Sequence, residues 1–361
     1  MANQSSRRQR RQAQSTSARA QRSLQAASRG RHHRTRREQR RRRITLIAIG
    51  LLGVVVVTSA AVPLLIGSNS NNSSTSSTSS LPALTSTTLL KLPAASAVAQ
   101  GDGAAYVTDD LRNLLLRFDP SNGKVEQKLQ LAGRPAAMVL DGGDLWIAQM
   151  VDNEVVEVDA STLHVVHSVP VGQGPSGLAV LGRSVWVTSV IANEVTPIDA
   201  SSGVVGTPVA LAGGSVRIAA GFGALWVTGT GDTLTKVVPA TGGVGAPAQT
   251  TVTVGQGPIG VAAGAGSVWV ANAEGNTVSQ VDPTSLRVTT LKSVGDDPLS
   301  IGVAGGQVYV GSGTAQTVKS VYPSPGSKTL KLDSTPRQLL AAGSGVWVAG
   351  ANPGRVLTIT G

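Results

Sequence analysis

Apolar residues from position 87 onward fall into short runs that are separated by polar and glycine-rich turns. Seven of the runs contain one aromatic residue between two aliphatic or small neighbours: Tyr106, Trp146, Trp186, Trp226, Trp269, Tyr309 and Trp347. Successive aromatics are separated by 40, 40, 40, 43, 40 and 38 positions. A run that is apolar on both faces is typical of a strand between two packed sheets. The spacing therefore predicts seven repeats of one small β-unit.

Turn residues recur at fixed distances from the aromatics, that is, in phase with them. Eleven positions before the aromatic, five repeats have proline: Pro135, Pro175, Pro258, Pro298 and Pro336. Seven positions after it four repeats have asparagine, and thirteen after it four have aspartate: Asn113, Asn153, Asn193 and Asn276, then Asp119, Asp159, Asp199 and Asp282. These residues suit hairpins and type I turns, and they divide the third repeat into strands at 178–180, 184–189, 194–199 and 204–210. The pattern predicts an all-β fold, a seven-bladed β-propeller over residues 87–361.

The two ends of the repeat region complement each other. The seventh repeat stops at Gly361 after its third strand, 355–360, and therefore lacks an outer strand. The segment from Thr87 to Leu92 precedes the first repeat in phase with the outer strands of the others. We predict that this N-terminal strand completes the last blade, because pairing the two ends leaves no open edge in the ring.

A different pattern precedes the repeats. Residues 44–66 carry no charge over 23 positions, which is the length a helix needs to cross the hydrocarbon core. The basic run at 40–43 directly precedes them and is expected to stay on the cytoplasmic side. We therefore predict a disordered cytoplasmic tail at 1–43, one transmembrane helix at 44–66, a Ser/Thr/Asn-rich linker at 67–86 and a monomeric propeller outside the cell membrane.

Two other interpretations of this region stay open. One is a cleaved signal peptide that ends near Ser59, Ala60 and Ala61, and the other is a twin-arginine export signal that begins at Arg42 and Arg43. A basic leader of this length is unusual for a signal peptide, and arginine pairs recur throughout the tail, so both are less favoured. Contact of the tail with anionic lipid or nucleic acid is a further possibility beside its role in setting orientation.

Positive charge is confined to the tail. Residues 1–43 contain 15 arginines, no lysine and one acid, Glu38, whereas the rest of the chain contains 16 basic and 19 acidic residues. The repeat region therefore lacks the basic patch of a nucleic-acid-binding domain, and no specific nucleic acid is expected as a partner. Cysteine is absent, which excludes disulfides, thiolate nucleophiles and zinc–thiolate sites.

Motifs for catalysis or cofactor binding lack the required context, and we expect no cofactor or metal. Residues 172–177 and 255–260 both read G-x-G-x-x-G, but neither precedes a helix, so propeller turns explain them better than a nucleotide site. The phased aspartates lie one per repeat, too far apart to share an ion, and turn capping accounts for them. No serine-hydrolase elbow, metalloprotease or EF-hand string occurs.

Three phased strings of the fifth repeat resemble the YVTN and NHL-type propeller repeats of bacterial envelope proteins: Gly257-Pro258-Ile259-Gly260-Val261, Val268-Trp269-Val270-Ala271-Asn272 and Asn276-Thr277-Val278-Ser279-Gln280-Val281-Asp282-Pro283. The wider class includes the streptogramin B (virginiamycin B) lyases. The resemblance covers residues 87–361 and implies a seven-bladed propeller, and it specifies the fold far better than an activity. The fourth and sixth repeats depart from it, because Thr233, Pro239, Gln316 and Tyr322 replace the turn Asn and Asp.

Membership of the lyase class would imply catalysis by histidine with glutamate and a divalent ion. The repeat region has two histidines, His164 and His167, both in a predicted outer strand. Residues three apart on a strand point to opposite faces, so the two histidines are not expected to act together. A binding protein at the cell envelope is therefore the favoured function, with a C–O lyase or a purely structural or adhesive module as alternatives.

Candidate ligand-binding or partner-binding residues lie where the repeats differ from one another. Two positions after the phased proline, most repeats have Ala, Gly or Ser, whereas Arg217 and Gln338 are long. We expect these two to line the axial channel, where Arg217 contacts an anionic or polar ligand or is simply solvated. The loops on the same face add further polar candidates: Arg134, Asp110, Arg112, Gln149, Asp152, Asn272, Glu274, Asp296 and Asp297.

Overall fold

A computed structural model describes residues 83–101, 103–240, 246–292, 294–323 and 328–360. These ranges contain 26 antiparallel strands and no helix that is long and apolar enough to span a bilayer. The predicted tail, the predicted transmembrane helix and most of the predicted linker lie outside the described residues. The predicted propeller region is all-β throughout its described part, which confirms the fold class.

The two ends of the described region form one six-stranded sheet, whose strand order is the last two strands followed by the first four. Its members are β1 (Thr85–Gly101), β2 (Ala104–Asp109), β3 (Leu114–Phe118), β4 (Val125–Gln130), β25 (Thr335–Ala342) and β26 (Gly345–Thr360). The first part of β1 pairs with the second part of β26, with Thr87 opposite Thr358 and Leu92 opposite Gly354. The predicted pairing of the N-terminal strand with the last strand is thereby confirmed.

Five four-stranded sheets complete the ring. The second and third repeats form β5 (Pro135–Asp141), β6 (Asp144–Gln149), β7 (Glu154–Asp159) and β8 (Val165–Pro170), then β9 (Pro175–Leu181), β10 (Ser184–Ser189), β11 (Glu194–Asp199) and β12 (Val209–Ala210). The fourth and fifth form β13 (Ile218–Gly221), β14 (Ala224–Thr228), β15 (Thr233–Val238) and β16 (Ala248–Thr253), then β17 (Pro258–Gly264), β18 (Ser267–Asn272), β19 (Thr277–Val281) and β20 (Val288–Leu291). The sixth forms β21 (Pro298–Ala304), β22 (Gln307–Ser312), β23 (Thr317–Tyr322) and β24 (Thr329–Lys331).

The prediction of seven separate blades is corrected, because the described strands form six sheets. The difference lies in the two end repeats, which share the continuous strands β1 and β26. After pairing with β26, β1 continues past a register irregularity between Leu92 and Ala94 and pairs with β2 from Ala95 onward. Strands of the first and seventh repeats therefore belong to one hydrogen-bonded sheet, and the seven sequence repeats give a six-sheet propeller.

The phased aromatics form the core between neighbouring repeats. Each lies in the second strand of its repeat and is at most 5% exposed. Trp226, for example, packs with Val268 and Val270 of the next sheet, and its indole N–H donates to the Gly221 carbonyl at 3.0 Å. Burial of an aromatic ring at each sheet-to-sheet contact contributes several kcal/mol per repeat. Each sequence repeat therefore supplies one buried aromatic ring to the core.

One predicted strand is shorter than expected. The outer strand of the third repeat was predicted at 204–210, but β12 covers only its last two residues. Its partner β11 contains Pro197, which has no N–H to donate to the ladder. The Gly206 N–H donates a hydrogen bond to the Pro197 carbonyl at 2.8 Å. The proline thus interrupts the ladder at this point.

The turn residues behave as predicted. The four phased asparagines have φ between 51° and 56°, the left-handed region that asparagine tolerates. Each phased aspartate caps a turn, and Oδ1 of Asp159 accepts hydrogen bonds from Ser161 N–H and Oγ at 2.9 and 2.7 Å. Hydrogen bonds from Ser161 and Thr162 lower the pKa of Asp159 to about 2, and those from Ser201 and Ser202 do the same for Asp199.

These depressed pKa values predict an acid-dependent stability. A carboxylate with a folded pKa of about 2 and an ordinary unfolded pKa stabilises the fold above about pH 4, and this contribution is lost as the pH falls towards 2. The double substitution Asp159→Asn and Asp199→Asn is expected to flatten the fall of the urea midpoint between pH 4 and 2. Glu274→Gln, which removes an exposed carboxylate, serves as the control. A slope unchanged by the double substitution would show that these caps do not couple folding to pH.

Candidate functional site

A central cavity of about 510 Å³ lies where the inner strands of the repeats converge. Its walls come from β1, β5, β9, β17, β21 and β25, together with Arg217 and Ile218 at the start of β13. Each inner strand except β1 begins at or near the phased proline position, and in β1 that position is Ala95, so residues one and two positions after it stand at one mouth of the cavity. Most of these are small or aliphatic, and the polar side chains that differ are Arg217, Arg337 and Gln338.

Arg217 is a half-buried cation without a carboxylate partner. One of its terminal nitrogens donates to the Ser176 carbonyl of the neighbouring sheet, and no carboxylate among the described residues lies within salt-bridge distance of it. Burial, and secondarily the charge of Arg337, lower the pKa of Arg217 to about 10. The guanidinium is therefore still charged at neutral pH. It has five N–H donors, and most of them have no acceptor in the described protein.

A second group of charges joins three repeats beside this mouth. Asp110 follows β2, and its Oδ2 accepts hydrogen bonds from Arg337 Nη1 at 2.7 Å and from Arg134 Nη2 at 3.0 Å. The carboxylate side chain is 1% exposed, and Arg134 and Arg337 are 22% and 14% exposed. We call Asp110, Arg134 and Arg337 the arginine clasp. It fixes the last repeat and the second repeat to the first, and it leaves the site with an excess of positive charge.

Gln338 lines the cavity and also joins two repeats. Its Oε1 accepts the Val98 N–H of β1 at 2.6 Å, so the amide oxygen is used in structure. The amide NH₂ group has no hydrogen-bond partner among the described residues and is free to donate to a bound molecule.

Other sequence-predicted residues have different roles. Gln149 and Asn272 are buried, at 1% and 0% exposure, and bind neighbouring loop and strand groups, which makes them structural. Arg112 is exposed and lines a separate groove of about 450 Å³ with Lys128. Asp297 has φ of 56°, and burial raises its pKa. The remaining three, Asp152, Glu274 and Asp296, are exposed on the loops.

The histidines do not reach the central cavity. His164 and His167 are exposed at the outer edge of the second repeat, and His167 Nδ1 contacts Glu157 Oε2 of the adjacent strand. Within the described ranges there is also no group of three or more His, Cys, Asp or Glu residues that could hold a metal ion.

Arg337 is the site residue that the sequence interpretation missed. It lies one position after the phased proline, where the other repeats have Ser96, Ala136, Ser176, Val216, Ile259 and Leu299. The departure at that position was visible in the sequence, but its pairing with Asp110 was not. The two residues are 227 positions apart and meet only because the ring closes.

Solved structures with the same architecture include two streptogramin B lyases. One is a catalytically inactive virginiamycin B lyase from Staphylococcus aureus with quinupristin, with a TM-score of 0.67 and 15% identity over 77% of this chain and 99% of that chain. Another is a streptogramin B lyase with a TM-score of 0.66, 15% identity and coverage of 77% and 98%. The U3-55K structure has a TM-score of 0.65 and 11% identity over 76% and 98%.

These likenesses establish a β-propeller fold of the virginiamycin B lyase type. At 15% identity or less they show the architecture alone. No protein-family model matches the sequence, and no curated protein matches it either. The YVTN and NHL resemblance therefore remains an expectation from the repeat strings.

The arginine clasp is expected to be important for stability. Asp110→Ala leaves two largely buried guanidinium groups without their shared carboxylate, and we expect it to lower the free energy of unfolding by about 2–3 kcal/mol. Asp333→Ala breaks the exposed pair with Arg355 and should change stability little, since Asp333 is 57% exposed. Urea denaturation of both variants measures the difference. Equal effects of the two substitutions would contradict a structural role for the clasp.

Proposed function

We propose that this chain is a single-pass envelope protein whose extracytoplasmic propeller binds an anionic ligand at Arg217 in the central cavity. The observation that supports the binding site is the unpaired charge of Arg217. A half-buried guanidinium without a carboxylate partner is costly unless something compensates it. A bound carboxylate or similar anion would supply both the charge and the missing hydrogen-bond acceptors.

The surroundings of Arg217 favour an anion for a second reason. Arg337 is close enough to lower the pKa of Arg217 by repulsion, and its own carboxylate partner, Asp110, is shared with Arg134. None of the residues that line the cavity in the described structure is acidic. The Gln338 amide adds a neutral donor at the same mouth. Positive charge and free hydrogen-bond donors therefore lie together at one mouth of the cavity.

Lyase chemistry is not the function that the cavity supports best. The fold likeness to streptogramin B lyases concerns architecture, whereas histidine-based elimination would need a histidine beside the bound substrate. Both described histidines lie at the outer edge of a sheet, away from the cavity lining. A structural or adhesive module would not need an unpaired arginine at the cavity mouth.

Removal of Arg217 tests the binding site. In the full chain in neutral nanodiscs, acetate at constant ionic strength is expected to raise the melting temperature, because a ligand that binds only the folded state stabilises it. Arg217→Ala should weaken acetate binding by about tenfold or more, since a charge-assisted bond contributes about 1.5–3 kcal/mol. The variant is expected to fold, because other repeats have alanine or glycine at this position.

Arg183→Ala is the matched control, because Arg183 is an exposed arginine on a turn outside the cavity. It removes the same charge from the chain and should leave the acetate response intact. The tail arginines are present in both variants and cancel in the comparison. Loss of the response in the control, or its retention in Arg217→Ala, would argue against the proposed site.

The topology is tested by cysteine labelling, since the chain has no native cysteine. Thr250 is an exposed residue of β16, and Thr250→Cys is expected to react with a membrane-impermeant maleimide added to intact cells. Ser5→Cys in the tail should react only after the membrane is permeabilised. Labelling of both sites, or of the tail alone, in intact cells would contradict the proposed orientation.

A further inference from the structure

Three neighbouring repeats carry an exposed aliphatic residue at the tip of the loop between their second and third strands. These are Leu111, Val151 and Ile191, which are 53%, 66% and 51% exposed. The same position in the other four repeats holds Gly231, Glu274, Thr314 and Asn352. Three exposed aliphatic side chains at equivalent places in neighbouring repeats contribute nothing to the core, and together they are a candidate interaction surface. We call Leu111, Val151 and Ile191 the apolar arc.

Two members of the apolar arc stand beside the arginine clasp. Leu111 directly follows Asp110, which holds Arg337 and Arg134. Val151 directly follows Met150, whose N–H donates to the Arg134 carbonyl at 2.9 Å. The first two tips therefore border the cationic side of the cavity mouth.

The third member is close to Arg217. The Ile191 N–H donates to the Gln173 carbonyl at 3.2 Å, and Gln173 is three positions before Ser176, whose carbonyl accepts the Arg217 hydrogen bond. Three residues of extended chain span about 10 Å at most. A ligand with its anion at Arg217 therefore needs only a few residues in extended conformation to contact Ile191.

The loops on the opposite side of the face are acidic rather than apolar. Glu274 occupies the tip of the fifth repeat, and Asp296 and Asp297 lie in the loop that joins the fifth repeat to the sixth. No aliphatic tip occurs there, so the apolar surface ends at the cavity mouth. An anionic group is repelled by Glu274 and Asp296 on that side and attracted to Arg217 at the cavity mouth, which gives a bound chain one direction.

We propose that the ligand is the extended C-terminal segment of a partner protein, with its terminal carboxylate at Arg217 and its apolar side chains on the apolar arc. This inference rests on the proposed function and adds the class of ligand. Extended peptides present alternate side chains to a surface, which suits a row of tips at the edge of a cavity. A chain that ends at the mouth needs no apolar contacts beyond it, in agreement with the acidic far side.

The test uses the full chain in neutral nanodiscs and a dye-labelled nonapeptide of alternating leucine and serine with a free terminal carboxylate. Fluorescence anisotropy measures its affinity, and the same peptide with a C-terminal amide is the matched ligand. We expect the amide to bind at least tenfold more weakly. The triple substitution Leu111→Ser, Val151→Ser and Ile191→Ser should weaken peptide binding about tenfold while the acetate response persists.

A second triple variant controls for general loss of apolar surface. Val165→Ser, Val166→Ser and Val204→Ser change aliphatic residues that are 52%, 48% and 63% exposed and lie away from the loop tips. This variant should bind the peptide like the native chain.

The outcomes separate this inference from the proposed function. Equal binding of acid and amide, or equal binding by the native chain and the arc variant, overturns the peptide inference, and the proposed function stands if acetate still acts through Arg217. A small anion is then the ligand. If Arg217→Ala alters neither the acetate response nor peptide binding, both proposals fail.

Discussion

Pairing of the first described strand with the last is the constraint on which the propeller depends. β1 pairs with β26 in its first part and with β2 in its second, so one continuous strand joins the two ends of the repeat region. Without it the two end repeats would each present an unpaired strand edge. The same closure holds Arg337 of the last repeat against Asp110 of the first. Stability and the geometry of the cavity mouth therefore rest on the same pairing.

The scaffold and the candidate site use different classes of residue. Residues that keep phase, such as the aromatics and the turn asparagines and aspartates, are accounted for by packing between sheets and by turn geometry. Among the residues that break phase, Arg217 and Arg337 line the cavity, and the members of the apolar arc are exposed at loop tips. The repeats share one core but differ in their loops, because each repeat can vary its loops once its core contacts are made.

Several details depend on which groups folding brings together, and the repeat pattern does not show this. Pro197 shortens the outer strand because its missing N–H lies opposite that strand, and only the pairing of the two strands shows this. Gln149 and Asn272 looked like loop-face candidates, yet both are buried and bound to neighbouring groups. Arg337 was not among the predicted site residues, because nothing in its local sequence indicates Asp110 as a partner. Hydrogen-bond partners of polar side chains are set by three-dimensional proximity, which a repeat pattern does not specify.

The sequence by itself determined the repeat, the turn chemistry and the pairing of the segment at 87–92 with the last repeat. These follow from local rules: short apolar runs between turn residues select strands, asparagine accepts a left-handed backbone, and the segment at 87–92 keeps phase with the outer strands of the other repeats. Tertiary structure alone decided that the end repeats share one sheet, that Asp110 joins three repeats, and that Arg217 lacks a carboxylate partner among the described residues. The physical reason is that hydrogen-bond connection and charge compensation are properties of groups brought together by folding, over separations as large as 227 residues.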